Sequence, residues 1–326
     1  MISTRALSKD FVVSRSHTVH AVRGIDLDVE PGELVAVLGP NGAGKTTTMR
    51  MLTTLIAPTA GTAQVAGFDV TAQPAEVRRR IGYVGQGNAA GHSQLAGDEL
   101  TSQGVIYGLD RRAAKRRTDE LLDGLDLTSL ARRKVSELSG GQRRRLDVAM
   151  GLVHVPTLLF LDEPSTGLDP QNRANLWEHI LRMRAAYDMT VVLTTHYLDE
   201  ADSMAERVVV VDHGEVIADD TPEALKSRLA GDRLVVHGTD SRRLAELAQR
   251  LPGAREVRYA DTRVEARVDD GPSALPELIR AGVDAGVPIT SAQVHRPTLD
   301  DVFLALTGRS LRENKSTDST AGKEAA

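Results

Sequence analysis

The chain has 326 residues, of which 41% are hydrophobic, and its formal net charge at pH 7 is -5. This length predicts about two domains, and the acidic balance argues against a dedicated nucleic-acid binder, whose basic residues would dominate the charge. The absence of cysteine excludes a disulfide framework and a thiolate metal site, and it fits a reducing cytoplasm. No apolar run reaches the ~20 residues that cross a bilayer, so we expect no membrane-spanning segment.

The first part of the chain predicts several short β-strands. They lie at 12–13, 19–22 and 25–29, and a Pro31-Gly32 turn follows the last of them. An antiparallel sheet that leads into the next strand is the simplest interpretation.

The segment Gly39-Pro40-Asn41-Gly42-Ala43-Gly44-Lys45-Thr46 lies between the apolar run 34–38 and the periodic segment 47–56. Its spacing predicts a strand, a phosphate loop and a helix, in which glycines let the backbone N–H groups point inward. We expect Lys45 to reach the β- and γ-phosphates of a nucleotide and the Thr46 hydroxyl to bind Mg2+. Phe11, upstream of this loop, either stacks on the nucleobase or packs in the core.

The next stretch predicts a hairpin at 61–70, a short helix at 75–80 and a buried strand at 81–84. Gln86 follows this strand, and its amide oxygen can bind Mg2+ or hold an attacking water. After a polar loop at 87–97, the pattern predicts helices at 98–109 and 111–125. Four arginines of the second helix, at 111, 112, 116 and 117, are expected on a solvated face.

Ser139, Gly140, Gly141 and Gln142 precede a predicted helix at 143–153. A serine with two glycines at a helix start is either a plain N-cap or a second anion-binding arrangement. One nucleotide rarely needs two such sites in one chain. The second site would be explained if it served a nucleotide held by another copy of the protein.

Two further apolar strands are predicted, and each ends in polar side chains. The run 157–161 ends in Asp162 and Glu163, and the strand 190–195 ends at His196. Because such tips face ligands in open parallel sheets, we expect Asp162 to hold hydrated Mg2+ and Glu163 to orient the attacking water. We expect His196 to donate a hydrogen bond to the γ-phosphate. A helix at 172–186 separates the two strands.

Strands at 207–211 and 215–218 are predicted to close the sheet, and a helix follows at 221–229. The pattern then changes. The order β-α-β-β-α-β over 233–295 suggests a small split βαβ domain of α+β class, and 298–306 is typical of a capped amphipathic helix. Residues 309–326 form a polar tail that we expect to be disordered.

Taken together, these motifs resemble an ATP-binding-cassette (ABC) ATPase over residues 7–229. The resemblance is carried by the phosphate loop, Gln86, 138–142, 159–163, 165–169 and 195–196, in that order. Residues 39–51, 163–170, 195–201 and 297–308 resemble the drug-exporter branch typified by daunorubicin-resistance ATPases.

This resemblance implies an α/β P-loop NTPase fold with a RecA-like core, an antiparallel β subdomain and a helical subdomain at about 87–155. The nucleotide-binding domain would span 1–230, and a ferredoxin-like accessory domain would span 231–308. Residues 39–47, which end at Thr47, would bind the phosphates of ATP, and Phe11 would stack on adenine.

The resemblance also implies individual roles. Glu163 would be the catalytic base, His196 the γ-phosphate sensor, and Gln86 the link between Mg2+ and the transport partner. Asp162 would hold the metal, and Asp169 would communicate across a dimer. Residues 139–142 would contact ATP bound by the opposite subunit, because two cassettes enclose two ATP molecules head to tail.

The function expected from this resemblance is that of a peripheral ATPase on the cytoplasmic side of the membrane. It would form a homodimer, drive a separate polytopic permease and export a drug or natural product, with no nucleic-acid partner. Another transport system, including import or export of lipid or polysaccharide, stays open, as does a soluble ABC protein without a permease. A P-loop kinase is a third class, but it has no use for residues 138–142.

Overall fold

The computed structural model describes residues 1–14, 17–87 and 89–308; for residues 229 and 230 it describes the backbone only. The tail expected at 309–326 lies outside these residues. The chain divides into two compact units, Met1–Asp219 and a second unit that begins at Asp220.

The first unit contains two sheets and seven α-helices in the described residues. Its strands are β1 (Ile2–Ser14), β2 (His17–Val29), β3 (Leu34–Leu38), β4 (Ala60–Val65), β5 (Phe68–Asp69), β6 (Ile81–Val84), β7 (Leu158–Asp162), β8 (Thr190–Thr195), β9 (Arg207–Asp212) and β10 (Glu215–Asp220), whose last residue opens the second unit. Its helices are α1 (Lys45–Leu52), α2 (Pro74–Arg80), α3 (Ala96–Ile106), α4 (Arg111–Gly124), α5 (Gly140–Leu152), α6 (Pro170–Tyr187) and α7 (Leu198–Met204).

The antiparallel sheet has the order β2-β1-β4-β5. Here the prediction of separate short strands before residue 30 is wrong, because β1 and β2 are continuous strands of 13 residues each. Their pairing contains several register shifts, and Ala6 has a φ of 49°. Such bulges interrupt the alternation of inward and outward side chains. The hydrophobic pattern of the sequence is therefore broken at these points, although the strand continues.

The second sheet carries the predicted phosphate loop and has the order β10-β9-β3-β8-β7-β6. Strand β3 pairs in parallel with β8 and β9, and β7 pairs in parallel with β6 and β8. All residues of β3, β7 and β8 are buried, as expected for strands covered on both faces. The carboxyl ends of β3, β6, β7 and β8 therefore meet at one edge, which confirms the predicted parallel core.

Helices α3, α4 and α5 form a helical segment between β6 and β7, as predicted. Asp110 caps α4 by accepting hydrogen bonds from the N–H groups of Arg112 and Ala113, each at 2.8 Å. One arginine in α4 departs from the expectation of a solvated face. Arg117 is buried, donates to the carbonyl oxygen of Leu152 at 2.9 Å and lies over the ring of Tyr187.

The second unit contains α8 (Pro222–Leu225), β11 (Asp232–Gly238), α9 (Ser241–Ala248), β12 (Arg255–Ala260), β13 (Arg263–Val268), α10 (Gly271–Asp284), β14 (Ile289–His295) and α11 (Leu299–Thr307). The sheet order β12-β13-β11-β14, with antiparallel pairing throughout, is that of a ferredoxin-like domain and confirms the predicted β-α-β-β-α-β order. Leu244 of α9 and Leu278 of α10 pack with Leu234 and Val264 in its core. The predicted N-cap of α11 is present, because Thr298 and Asp301 form a capping box.

Candidate active site

The loop after β3 has a backbone that requires glycine at three positions. A Cβ atom at Gly39 would lie 2.1 Å from the carbonyl oxygen of Val211, and one at Gly44 would lie 2.5 Å from that of Ala21. Gly44 also has a φ of 100°, and Gly42 has a φ of 81°. Both values lie in a region that other residues rarely adopt. These glycines thus allow the loop to pack between β9 and β2 while it curls toward α1.

Helix α1 begins directly after this loop and has no side-chain cap. Its N-cap residue, Gly44, offers no group to the first N–H groups of the helix. Those amides and the positive end of the helix dipole are therefore available to an anion. This is the arrangement that binds phosphate groups in P-loop proteins.

Lys45 occupies the interior of the loop. Its Nζ atom donates hydrogen bonds to the carbonyl oxygens of Gly39 at 2.7 Å and Pro40 at 3.1 Å, and it lies 3.8 Å from Oε1 of Glu163. Burial lowers the pKa of Lys45, whereas the Glu163 and Asp162 carboxylates oppose that shift. A desolvated ammonium group held beside an open helix start is well placed to meet phosphate oxygens.

A hydroxyl, an amide and a carboxylate meet beside Lys45. The hydroxyl of Thr46 donates to Oδ1 of Asp162 at 3.0 Å, and Nε2 of Gln86 donates to Oγ1 of Thr46 at 3.1 Å. Thr194 also donates to Oδ1 of Asp162, at 2.6 Å. The other oxygen of Asp162 is buried and accepts no hydrogen bond from the described residues. A carboxylate oxygen in this condition, beside a hydroxyl and an amide, fits an Mg2+ ion that takes its other ligands from phosphates and water.

Glu163 follows β7 in a strained backbone conformation, with a φ of 48°. Its N–H group donates to the hydroxyl of Thr194 at 3.0 Å, and its Oε2 atom accepts a hydrogen bond from Thr166 at 3.2 Å. Nδ1 of His196 lies 3.3 Å from the same oxygen. The His196 imidazole lowers the pKa of Glu163, burial opposes this shift, and Lys45 adds to it. The carboxylate is therefore ionised at neutral pH and able to accept a proton.

Behind His196 lies a buried carboxylate that the sequence reasoning did not single out. Glu200 of α7 accepts hydrogen bonds from the hydroxyls of Ser165 and Thr195, the latter at 2.9 Å. Arg173 lies 3.5 Å from Glu200 and covers the ring of Tyr197. Glu200 thus joins the loop after Glu163 to the strand end that carries His196. The sequence did not predict α7, and an acidic residue in the first turn of a helix does not by itself indicate this role for Glu200.

Residues 139–142 form the start of α5. Oγ of Ser139 accepts from the N–H of Gln142 at 3.3 Å, and Oε1 of Gln142 accepts from the N–H of Ser139 at 3.0 Å. This capping box satisfies the helix start from within. A Cβ atom at Gly141 would lie 2.5 Å from Oδ1 of Asn172, so α5 begins close to the start of α6, which Asp169 caps. In the described chain no hydrogen bond joins 139–142 to 39–47.

Phe11 lies in β1 opposite Val19, with 40% of its surface exposed and the Nζ atom of Lys9 5.3 Å from its ring centre. Over the described ranges, neither a hydrogen bond nor a ring contact links Phe11 to the phosphate loop. The role of Phe11 in stacking on adenine stays a prediction.

Two family models match the chain. The ABC transporter model matches residues 22–166, and the C-terminal domain model of DrrA1-3-like ATP-binding proteins matches residues 221–307. The daunorubicin resistance ATP-binding protein DrrA2 of Streptomyces coeruleorubidus is 44% identical over 94% of each chain. The linearmycin resistance ATP-binding protein LnrL of Bacillus subtilis is 34% identical over 90% of this chain and 95% of its own.

Solved structures with the same fold include cbiO1 from Clostridium perfringens, part of an ABC transporter complex. It has a TM-score of 0.62 and 26% identity, and the match covers 69% of this chain and 89% of cbiO1. A dimeric ATP-binding cassette bound to ADP and phosphate has a TM-score of 0.63 at 23% identity, over 68% of this chain and 98% of that one. No described helix combines the length and the apolar character needed to cross a membrane. The chain belongs to the ABC transporter ATP-binding proteins, in the daunorubicin-resistance branch, and is an ATPase.

Proposed function

We propose that this chain energises the export of a drug or natural product through a separate membrane permease. The observation that carries this proposal is the likeness to daunorubicin-resistance ATP-binding proteins over both units, including the C-terminal domain at 221–307. The cluster of Lys45, Glu163 and His196 beside the uncapped start of α1 supports a motor subunit that works with a membrane partner at the cytoplasmic face.

In the proposed reaction, the phosphates of ATP lie on the amides of 39–47, and Lys45 exchanges its loop carbonyls for β- and γ-phosphate oxygens. Thr46, Gln86 and the free oxygen of Asp162 would hold Mg2+, which neutralises charge on the phosphates. The ionised Glu163 orients the attacking water and accepts its proton, and His196 donates to the γ-phosphate. Catalysis by these residues is mostly positioning and charge stabilisation.

We further propose a homodimer around two ATP molecules. The start of α5 carries Ser139 and two small residues, yet it makes no hydrogen bond with the loop of its own chain among the described residues. A nucleotide held by a second copy would give this start a ligand. Asp169, at the start of the adjacent helix, would then lie near the boundary between the two copies.

Glu163→Gln tests the catalytic proposal. The amide keeps the size of the side chain but cannot accept the proton, so we expect ATP binding to persist while turnover falls by about 100-fold or more. The measurement combines steady-state ATPase rates with ATP-dependent dimer formation by light scattering. The exposed Glu178→Gln is the matched control and keeps the wild-type rate. Wild-type turnover of Glu163→Gln would contradict the role of this carboxylate.

The cargo is tested separately, in cells that express the chain with a polytopic membrane protein encoded beside it. We expect these cells to accumulate less daunorubicin than cells in which the chain carries Glu163→Gln. If daunorubicin accumulates equally while a lipid or a lipo-oligosaccharide stimulates the ATPase, the motor role stands and the drug cargo does not. ATPase activity bound to ribosomes or DNA, without any membrane association, would contradict the transport role.

A further inference from the structure

Arg144, in the first turns of α5, is a buried cation with three backbone partners. Its Nε atom donates to the carbonyl oxygen of Pro164 at 2.6 Å, and Nη1 donates to that of Gly85 at 2.7 Å. Nη2 donates to the carbonyl oxygen of Asp162 at 3.4 Å. Two of these carbonyls flank Glu163, and the third directly precedes Gln86.

Burial lowers the pKa of Arg144, whereas the nearby Asp147 and Asp162 carboxylates oppose this shift. A guanidinium group removed from water destabilises the fold unless its N–H groups find acceptors, and its planar donor array suits several acceptors at once. Here backbone carbonyls supply them. Their positions are fixed by strands β6 and β7, so the arginine and the two strand ends constrain each other.

One turn along α5, Asp147 contacts the other side of the Gln86 loop. Its Oδ1 atom accepts from the N–H groups of Ala89 at 3.0 Å and Ala90 at 3.3 Å, and Oδ2 lies 3.9 Å from Nη1 of Arg144. The loop that carries Gln86 is therefore bound to α5 before and after the glutamine, by charges of opposite sign.

The conformation of Glu163 explains why such a contact matters. A left-handed backbone at a residue other than glycine costs roughly 1 kcal/mol or more and persists only where the surroundings enforce it. Rotation of the peptide group between Asp162 and Glu163 would turn its carbonyl oxygen away from Arg144, and the bond to the carbonyl oxygen of Pro164 holds the backbone on the other side of Glu163. The guanidinium group thus holds Glu163 in the strained geometry that directs its carboxylate toward Lys45 and His196.

We propose that Arg144 is a positioning residue for ATP hydrolysis, which sets the backbone of Glu163 and of Gln86 from the helix that begins at Ser139. This inference rests on the proposed roles of Glu163 and Gln86. It makes α5 a rigid connection between the helix start proposed to meet the second nucleotide and two catalytic loops of its own chain.

The test compares Arg144→Lys and Arg144→Met with Arg143→Lys and Arg143→Met in the full-length chain. Arg143 is the matched control, because it lies on the same helix and also donates to a backbone carbonyl, that of Val135 at 3.1 Å, away from the catalytic loops. A lysine at 144 keeps the charge but cannot reach three carbonyls with one planar group. We expect kcat to fall about tenfold in Arg144→Lys and further in Arg144→Met, with KM for ATP within about threefold of wild type.

A second readout separates positioning from general loss of structure. In a Glu163→Gln background, Arg144→Lys should cause a smaller further loss of turnover than in wild type, because one of the two side chains that it positions is already inactive and only the effect through Gln86 is left. Thermal unfolding of Arg144→Lys identifies the folded fraction to which the rates are referred. A wild-type kcat in Arg144→Lys, an equal loss in Arg143→Lys, or a full tenfold loss on top of Glu163→Gln would overturn the proposal. If Glu163→Gln alone hydrolyses ATP normally, the assignment of the base fails first, and the role of Arg144 fails with it.

Discussion

The starts of helices α1 and α5 are similar in sequence, but only the start of α5 is capped by side chains. The stretch around each start, 42–46 at α1 and 139–142 at α5, contains two glycines and a hydroxyl residue. At α1, Gly44 provides no cap, and the first amides stay available for a ligand. At α5, Ser139 and Gln142 satisfy each other in a capping box. The comparison teaches that a glycine-rich helix start is an anion site only where its own side chains leave the amides free. The start of α5 can bind an anion only if the hydrogen bonds between Ser139 and Gln142 are replaced by hydrogen bonds to that anion.

The largest expected difference between the two starts comes from matched glycine substitutions. Gly44→Ala forces a Cβ atom to within 2.5 Å of the carbonyl oxygen of Ala21 at a φ of 100°, whereas a Cβ atom at Gly140 meets no atom within 4 Å. We expect Gly44→Ala to lower the free energy of unfolding by about 2 kcal/mol and ATP hydrolysis by about 100-fold. Gly140→Ala should change the free energy of unfolding by less than about 0.5 kcal/mol. Denaturant unfolding and ATPase rates of both variants measure this, and equal destabilisation would contradict it.

A smaller effect is expected at Ser139, where the identity of the ligand can be tested. Ser139→Asp keeps a good N-cap and adds a negative charge that the helix dipole favours, whereas Ser139→Ala loses about 1 kcal/mol of capping free energy. If α5 meets the phosphate of a second copy, Ser139→Asp is as stable as wild type and still fails to dimerise with ATP. Light scattering in a Glu163→Gln background measures this. An ATP-dependent dimer of the aspartate variant would show that α5 does not face phosphate.

The smallest effect concerns pH at the first site. The His196 imidazole and Lys45 lower the pKa of Glu163, so its ionised form stabilises the fold above the unfolded value of about 4.3. This contribution disappears as the pH falls through the lower folded pKa. We therefore expect wild type to exceed Glu163→Gln in free energy of unfolding at pH 7, and the difference to shrink below about pH 4.3. Denaturant titrations of both proteins over this range measure the difference, and one that grows on acidification would contradict the expectation.

The sequence predicted the groups whose position follows from local pattern. Gln86, Asp162, Glu163 and His196 end or follow apolar strands, and parallel pairing necessarily brings such ends together. Their predicted roles in hydrolysis stay predictions. The ferredoxin-like order of the second unit was likewise visible in the alternation of its elements.

The groups that the sequence did not reveal depend on partners distant in the chain. Arg117 was expected on a solvated face and Arg144 was not singled out, yet both are buried and donate hydrogen bonds to backbone carbonyls. Glu200 is likewise buried, and it accepts hydrogen bonds from the hydroxyls of Ser165 and Thr195 in two other segments of the chain. A residue type and its spacing do not encode contacts that arise only after the strands are arranged.

Thr194 shows how strongly this arrangement depends on one pairing. It lies opposite Asp162 in the parallel ladder of β7 and β8, where its hydroxyl donates to that carboxylate and accepts from the N–H group of Glu163. Strand β8, through Thr194, thus sets the relative positions of Asp162 and Glu163. A slip of a single residue between β7 and β8 would turn Thr194 to the opposite face and release both acids together. Faithful alignment of two hydrophobic strands during folding is therefore a precondition for any chemistry at their tips.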